Sequence, residues 1–173
     1  PTMCYHEALE PAGMCRICTV ELFDGRRTRF VTACNYPIWE GMEVNTDTET
    51  VHEGRKLIFE MLLARCPEVP LLKQLAKEYG LEAPRFPMED DDCILCGLCT
   101  RMCEKMGNSA IALTGRGLEL NVDTPFQIQT DLCMACGACA SVCPTGHITL
   151  ERVRDMITAQ KNVKAIPSEY DMG

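Results

Sequence analysis

Eight cysteines in the second half of this 173-residue chain fall into two runs of identical spacing. The first is Cys93-x2-Cys96-x2-Cys99-x3-Cys103; the second is Cys133-x2-Cys136-x2-Cys139-x3-Cys143, followed at once by Pro144. Thiolates at this spacing hold [4Fe–4S] cubanes, and the fourth cysteine of each run ligates the other run's cluster. Cluster A is therefore predicted to take Cys93, Cys96, Cys99 and Cys143. Cluster B takes Cys133, Cys136, Cys139 and Cys103. The first three cysteines of a run are expected on one tight loop, with the fourth opening a helix that points away. Zinc also uses Cys-x2-Cys pairs, but four ligands in two pairs would leave the third step of each run unused. A disulfide framework fits less well still: the 13 cysteines are odd in number and no secretory segment precedes them. Reduced thiolates on iron, in a cytoplasmic setting, are the better account.

Four more cysteines stand at the front: Cys4, Cys15, Cys18 and Cys34, in the pattern Cys-x10-Cys-x2-Cys-x15-Cys. A plant-type [2Fe–2S] cluster uses one cysteine, a Cys-x2-Cys pair and a distant fourth, although its usual first gap is about four residues. The segment between Cys18 and Cys34 reads as a hairpin. Thr19-Val-Glu-Leu-Phe23 and Thr28-Arg-Phe-Val-Thr32 flank the turn Asp24-Gly25, which returns Cys34 to the Cys15/Cys18 loop. A zinc knuckle is the alternative for this looser spacing.

The long first gap carries a resemblance. Pro1-Thr-Met-Cys-Tyr-His6, Gly13-Met-Cys-Arg-Ile-Cys-Thr-Val-Glu-Leu22, Ala33-Cys-Asn-Tyr-Pro37 and Gly41-Met-Glu-Val44 resemble the N-terminal iron–sulfur region of the complex I large subunit. The same region recurs in the small diaphorase subunit of NAD-reducing hydrogenases and at the front of iron-only hydrogenases. The resemblance spans essentially the whole chain and implies an electron-relay role for the twelve cysteines named. It also implies an α+β fold: a β-grasp-like [2Fe–2S] ferredoxin, N-terminally incomplete, then a bacterial-type ferredoxin with two [4Fe–4S] clusters. One departure is informative. That family carries a further cubane between the two domains, held by one histidine and three cysteines. Here the corresponding stretch reads Leu62-Leu-Ala-Arg-Cys66-Pro-Glu-Val-Pro70, and no cysteine follows until Cys93. One thiolate cannot hold a cubane, so this cluster is expected to be missing and Cys66 to be a buried structural cysteine near a helix end.

The elements that must position these thiols follow from pattern. Residues 1–49 are β in character. A helix follows, with Thr50-x-x-Glu53 as a capping box and Leu57, Ile58, Met61 and Leu62 as its apolar face. A second helix runs from Pro70 to Tyr79 and stops at Gly80. Residues 50–92 thus form a helical connector ending in a Pro-containing linker, with Glu89-Asp-Asp-Asp92 as a solvated junction. The ferredoxin domain occupies 93–150, with a hairpin of Ala110–Thr114 and Leu118–Val122 about the turn Gly115-Arg-Gly117, and a closing strand Ile148–Leu150. A C-terminal helix from Glu151 and a tail fill 151–173. The [2Fe–2S] and ferredoxin domains, so separated in sequence, are expected to set their clusters in an extended row. The start at Pro1, three residues before Cys4, and the end at Gly173 suit a piece of a longer polypeptide.

Charge and missing motifs narrow the function. Twenty-five acidic against 17 basic residues give a net charge of −8, which disfavours nucleic acid and suits a complementary protein surface. No apolar stretch approaches the roughly 20 residues that span a bilayer. No glycine-rich phosphate loop is present, and none of His6, His52 and His147 is paired with a nucleophile. His6 is placed near a cluster; His52 and His147 are placed at the surface or a helix start. The chain is therefore read as having no catalytic site of its own, moving single electrons and leaving two-electron chemistry to neighbours. The leading expectation is an electron-transfer component between a flavin/NAD(P)H- or ferredoxin-linked module and a catalytic oxidoreductase subunit. The catalytic subunit is expected to be hydrogenase-, formate dehydrogenase- or heterodisulfide reductase-like, and the sequence does not choose among them. The alternatives are a freely diffusing multi-cluster ferredoxin and the iron–sulfur portion of a longer catalytic polypeptide.

Overall fold

A computed structural model describes residues 1–125 and 131–153. The front half is built on the predicted hairpin: β1 (Thr19–Phe23) pairs antiparallel with β2 (Thr28–Thr32), Thr19 opposite Thr32. Its turn is fixed by Asp24, whose carboxylate accepts the Arg26 and Arg27 amides at 3.1 Å each, and by Gly25 at φ +85°. Val20 and Leu22 point inward while their strand neighbours are half-buried, the alternation of a one-sided sheet. A short strand not expected from the sequence, β3 (Glu43–Asn45), pairs with the other edge of β1 and gives the order β2-β1-β3. All three of its residues are exposed, so no hydrophobic alternation marks it.

Helix α1 (Glu49–Arg65) begins two residues earlier than the capping box implied. Thr48 is the cap, its hydroxyl accepting the Val51 amide at 3.2 Å, while Thr50 donates instead to Glu21 on β1 at 2.5 Å. The buried face is also rotated from expectation. It carries Val51, Arg55, Phe59, Glu60, Leu63 and Ala64, whereas Leu57 and Met61 are exposed. Two buried polar residues, Arg55 and Glu60, hide this stripe from a hydrophobicity reading. Arg55 Nε donates to the Thr19 carbonyl at 3.0 Å, and the Glu60 carboxylate accepts three 2.7 Å bonds from Arg85. Helix α2 (Pro70–Glu78) runs as predicted from its N-terminal proline. Gly80, at φ +67°, closes it as Leu81 N–H reaches back to the Ala76 carbonyl at 2.9 Å.

In the second half, α3 (Leu98–Lys105) and α4 (Ala138–Ser141) each start after a left-handed glycine, Gly97 (φ +66°) and Gly137 (φ +75°). The hairpin between the cysteine runs is present but shorter than predicted. Strand β4 (Ala112–Thr114) pairs with β5 (Asn121–Asp123), and residues 117–119 form a 3-10 turn instead of strand. The expected strand Ile148–Leu150 is not formed. Leu150 opens a helical turn, with Thr149 Oγ1 accepting the Arg152 amide and the Thr149 carbonyl accepting that of Val153. The remainder of the helix and tail expected after Glu151 lies outside the described residues.

The two halves share one hydrophobic core. Met3, Cys4, Cys15 and Ile17 from the front pack with Ile94, Cys96, Leu98 and Met102 from the second half, around Phe59, Cys66 and Leu72 of the helices. The separation of the domains in sequence therefore does not become separation in space. The acidic run is likewise only partly a solvated junction: Arg65 grips Asp91 at 2.6 Å and Glu89 at 3.4 Å, and its Nε donates to the Cys93 carbonyl at 2.8 Å.

Candidate iron–sulfur centres

The front thiols converge. Cys4, Cys15 and Cys18 are buried and Cys34 is half-buried, brought back by the hairpin as Ala33 N–H bonds the Cys18 carbonyl at 3.1 Å. The Cys15 amide donates to Cys4 Sγ at 3.4 Å. Burial, then contact with Cys18, pushes the Cys34 thiol up to about 11. Burial also raises Cys15, with Cys4 as a further contributor. The Cys15–Cys18 loop turns through Arg16 at φ +61°, a strained conformation for a non-glycine residue, and through Gly13, whose missing Cβ leaves room for the Asn35 side chain. Arg55 lines the cavity beside Cys18 and Cys34 and places a fixed positive charge there.

The second half repeats one loop twice. Leu95 (φ +53°) and Ala135 (φ +58°) occupy the same step of the two runs, each followed by the left-handed glycine that starts a helix. In each run the third cysteine lies within that helix, as Cys99 in α3 and Cys139 in α4. The fourth cysteine does not open a helix, contrary to expectation. Cys103 sits in the last turn of α3, and Cys143 lies just past the end of α4. A rise of 1.5 Å per residue carries that fourth thiol away from its own loop.

Cys143 lines one cavity together with Cys93, Cys96 and Cys99, closed by Ile94, Val122, Pro144, His147 and Ile148. Burial raises the thiols of Cys96 to about 11 and of Cys99 to about 12, and moves Cys93 in the same direction. Cys143 goes the other way. Its burial is outweighed by the Ile148 amide, the Thr145 hydroxyl and the amides of Thr145 and His147, so its thiol is held below the ordinary range. In the second set, burial raises Cys139, with the nearby Cys103 and Cys133 as further contributors, and Cys103 Sγ accepts the Ala110 amide at 3.3 Å. Cys136 is exposed and lines a separate cavity with Ile148 and Leu150.

Among the described residues no three His, Cys, Asp or Glu side chains close on one point fit for a single metal ion. Cys93, Cys96, Cys99 and Cys143 line one shared space, which suits a body with several metal atoms that each take one thiolate. Cys66, fully buried at the end of α1 and pushed by burial up to about 12, is set in the hydrophobic core. His6 forms a turn, its Nδ1 accepting the Ala8 amide at 3.1 Å, and His52 meets Asp47 at 2.6 Å on the surface. A groove of about 620 Å³ between α1, α2 and the linker contains no cysteine.

Several positioning residues carry no signal in the spacing of the sequence. Arg101 of α3 donates to the carbonyls of Cys4 at 2.9 Å, Glu10 at 2.7 Å and Gly97 at 3.2 Å, strapping the front loop to the first ferredoxin loop. Met14 fills the space where a side chain on Gly97 would stand: a Cβ there would meet its sulfur at 2.7 Å.

Residues 1–49 match the family described as a 2Fe-2S iron-sulfur cluster binding domain, and residues 87–150 match the 4Fe-4S dicluster domain. The chain is 30% identical to the NADH-ubiquinone oxidoreductase 78 kDa subunit of Neurospora crassa over 86% of its length. It is 33% identical to an NADH-quinone oxidoreductase subunit of Rhizobium meliloti over 84%. The chain resembles the complex I large subunit. It spans 23% and 20% of those two relatives. Among solved structures, an NAD+-reducing [NiFe]-hydrogenase in the H2-reduced state superposes with a TM-score of 0.63 at 28% identity, over 72% of this chain and 62% of that one. The chain thus joins a 2Fe–2S domain to a 4Fe–4S dicluster domain, with mixed helix and strand. Among the described residues no helix is long and apolar enough to cross a membrane.

Proposed function

We propose that this chain is an electron relay within a multi-subunit oxidoreductase, passing single electrons between a flavin- or cluster-bearing module and a catalytic subunit. Residues 1–49 would hold one [2Fe–2S] cluster on Cys4, Cys15, Cys18 and Cys34. Residues 93–150 would hold one [4Fe–4S] cluster on Cys93, Cys96, Cys99 and Cys143, and another on Cys103, Cys133, Cys136 and Cys139. Residues 50–92 serve as the connector. Such clusters supply one-electron chemistry over a wide span of potentials.

The observation that carries this reading is the cavity shared by Cys93, Cys96, Cys99 and Cys143, more than forty positions apart in sequence. The chain's own residues do three things around it. Ile94, Val122 and Ile148 keep water from the thiols of the first set. Amide and hydroxyl donors around Cys143 stabilise it as a thiolate. Arg101, with Met14 against Gly97, fixes the front loop to the first ferredoxin loop, so that Cys4 and Cys96 belong to one core. The front thiols and the first set meet in that core, where Cys4, Cys15 and Cys96 are buried together. The relatives are subunits of NADH oxidoreductases, and the matching structure is an NAD+-reducing hydrogenase. By that likeness, the partners here are NAD(P)H- or hydrogenase-linked.

Iron and acid-labile sulfide analysis of the anaerobically purified chain should give about ten of each, two plus four plus four. Cys143→Ala and Cys93→Ala should each lower iron to about six and remove the same cubane signal from the reduced EPR spectrum. If Cys143→Ala instead removes the signal lost in Cys133→Ala, the crossed assignment is wrong.

A further inference from the structure

His147 has one ring nitrogen with nothing to bond. Its Nδ1 is buried and without a hydrogen-bond partner in the protein, one of two such side-chain atoms among the described residues. A buried polar atom left unpaired costs about 1–3 kcal/mol, so a position like this points to a partner beyond the polypeptide. The backbone of His147 is held on both sides. Its amide donates to Thr145 Oγ1 at 3.4 Å and its carbonyl accepts Arg152 Nη1 at 2.6 Å. The residue lines the cavity that holds Cys93, Cys96, Cys99 and Cys143. An iron–sulfur group there would present sulfur atoms, which accept hydrogen bonds and do not donate them.

We infer that His147 donates an Nδ1–H hydrogen bond to a sulfur of the group held by Cys93, Cys96, Cys99 and Cys143, and thereby raises that group's reduction potential above its sister's. Hydrogen bonds to cluster sulfurs and thiolates stabilise the more negative, reduced state. The repeat sharpens the point. The first run ends Cys103-Glu-Lys-Met-Gly107 and the second Cys143-Pro-Thr-Gly-His147, so only the second has a ring nitrogen four residues after its last cysteine. His147 therefore sets the potential step between the two cubanes. This rests on the crossed cysteine assignment above.

The test is a redox titration of the full chain followed by EPR, on wild type, His147→Phe and His147→Asn. His147→Phe keeps a ring without a donor, while His147→Asn keeps an N–H near the place of Nδ1. In His147→Phe the oxidised-to-reduced ratio of one cubane, measured at the wild-type midpoint, should rise about tenfold, equal to about 59 mV for a one-electron couple. The affected signal should be the one lost in Cys93→Ala and Cys143→Ala, and His147→Asn should recover most of the shift. In wild type, 15N labelling confined to the histidine ring nitrogens should alter the weak nitrogen modulation of that reduced cubane in pulsed EPR. This second measurement decides the matter if His147→Phe fails to load iron. An unmoved potential, or a modulation unaffected by the label, overturns the inference while leaving the cysteine assignment standing. A shift confined to the signal lost in Cys133→Ala overturns both.

Discussion

Replacing Arg101 with methionine tests whether the two halves are one relay or two beads. The guanidinium makes two bonds across the halves, 2.9 Å to the Cys4 carbonyl and 2.7 Å to that of Glu10. Cys4 is 1% exposed, so its carbonyl has little water to turn to when the donor is lost. A hydrogen bond from a charged donor contributes about 1.5–3 kcal/mol in such a place, and the exposed bond to Glu10 adds about 0.5 kcal/mol. Methionine keeps most of the aliphatic stem, so packing changes little. The sum, about 2–3.5 kcal/mol, should appear as a rise in local opening of about 30- to 300-fold, by roughly 1.4 kcal/mol per factor of ten. Native-state hydrogen exchange of segment 1–18 in the cluster-loaded protein measures it. Arg101→Lys should fall between, because the three carbonyls are met by Nε, Nη1 and Nη2 of a planar fork, and one compact ammonium cannot stand at all three places. The front loop should open without unfolding, since Lys105 Nζ still donates to the Ala8 carbonyl and Met14 still covers Gly97. Exchange within threefold of wild type would refute the strap. Acceleration spread evenly over residues 93–123 would show general destabilisation in its place.

Cys66→Ser should leave every reduced-state EPR signal unchanged while costing about 1–3 kcal/mol in thermal stability, because it places a hydroxyl in the core. Burial raises the Cys66 thiol from 9.0 to about 12. The stability gained by keeping it neutral is thus complete below pH 9 and lost as pH climbs toward 12, so Cys66→Ala should flatten the alkaline limb of the melting-temperature profile. Arg85 bonds hold the nearly buried Glu60 carboxyl down at about 2, from 4.5; that stabilisation is present above pH 4.5 and lost as pH falls toward 2. In Arg85→Met the carboxylate loses its cation, so the melting temperature should fall at pH 7 and the deficit should shrink as pH drops from 4.5 toward 2, where the wild-type stabilisation is itself lost. A deficit independent of pH would mean that packing, and not the charge, is lost.

Features that depend on covalent spacing were legible in the chain before it folded. Two cysteines three apart must share a loop, and four at x2-x2-x3 place three thiols together and send the fourth along a helix. The β1–β2 hairpin was equally legible, since Asp24-Gly25 between alternating strands encodes its own turn and register. So was α2, bounded by Pro70 and Gly80. Contacts between distant segments arise only on folding. The buried stripe of α1 contains Arg55 and Glu60, and these are tolerated inside only because the Thr19 carbonyl and Arg85 satisfy them. No pattern of hydrophobic residues could reveal that face. Strand β3 exists because β1 offers an open edge, not because Glu43, Val44 and Asn45 alternate. The strap from Arg101 to Cys4, the packing of Met14 on Gly97 and the unpartnered nitrogen of His147 all depend on residues far apart in the chain. A sequence orders thiols by their separation along the backbone, but how those thiols are wired depends on which loops share a core, and that is settled only when the chain has folded.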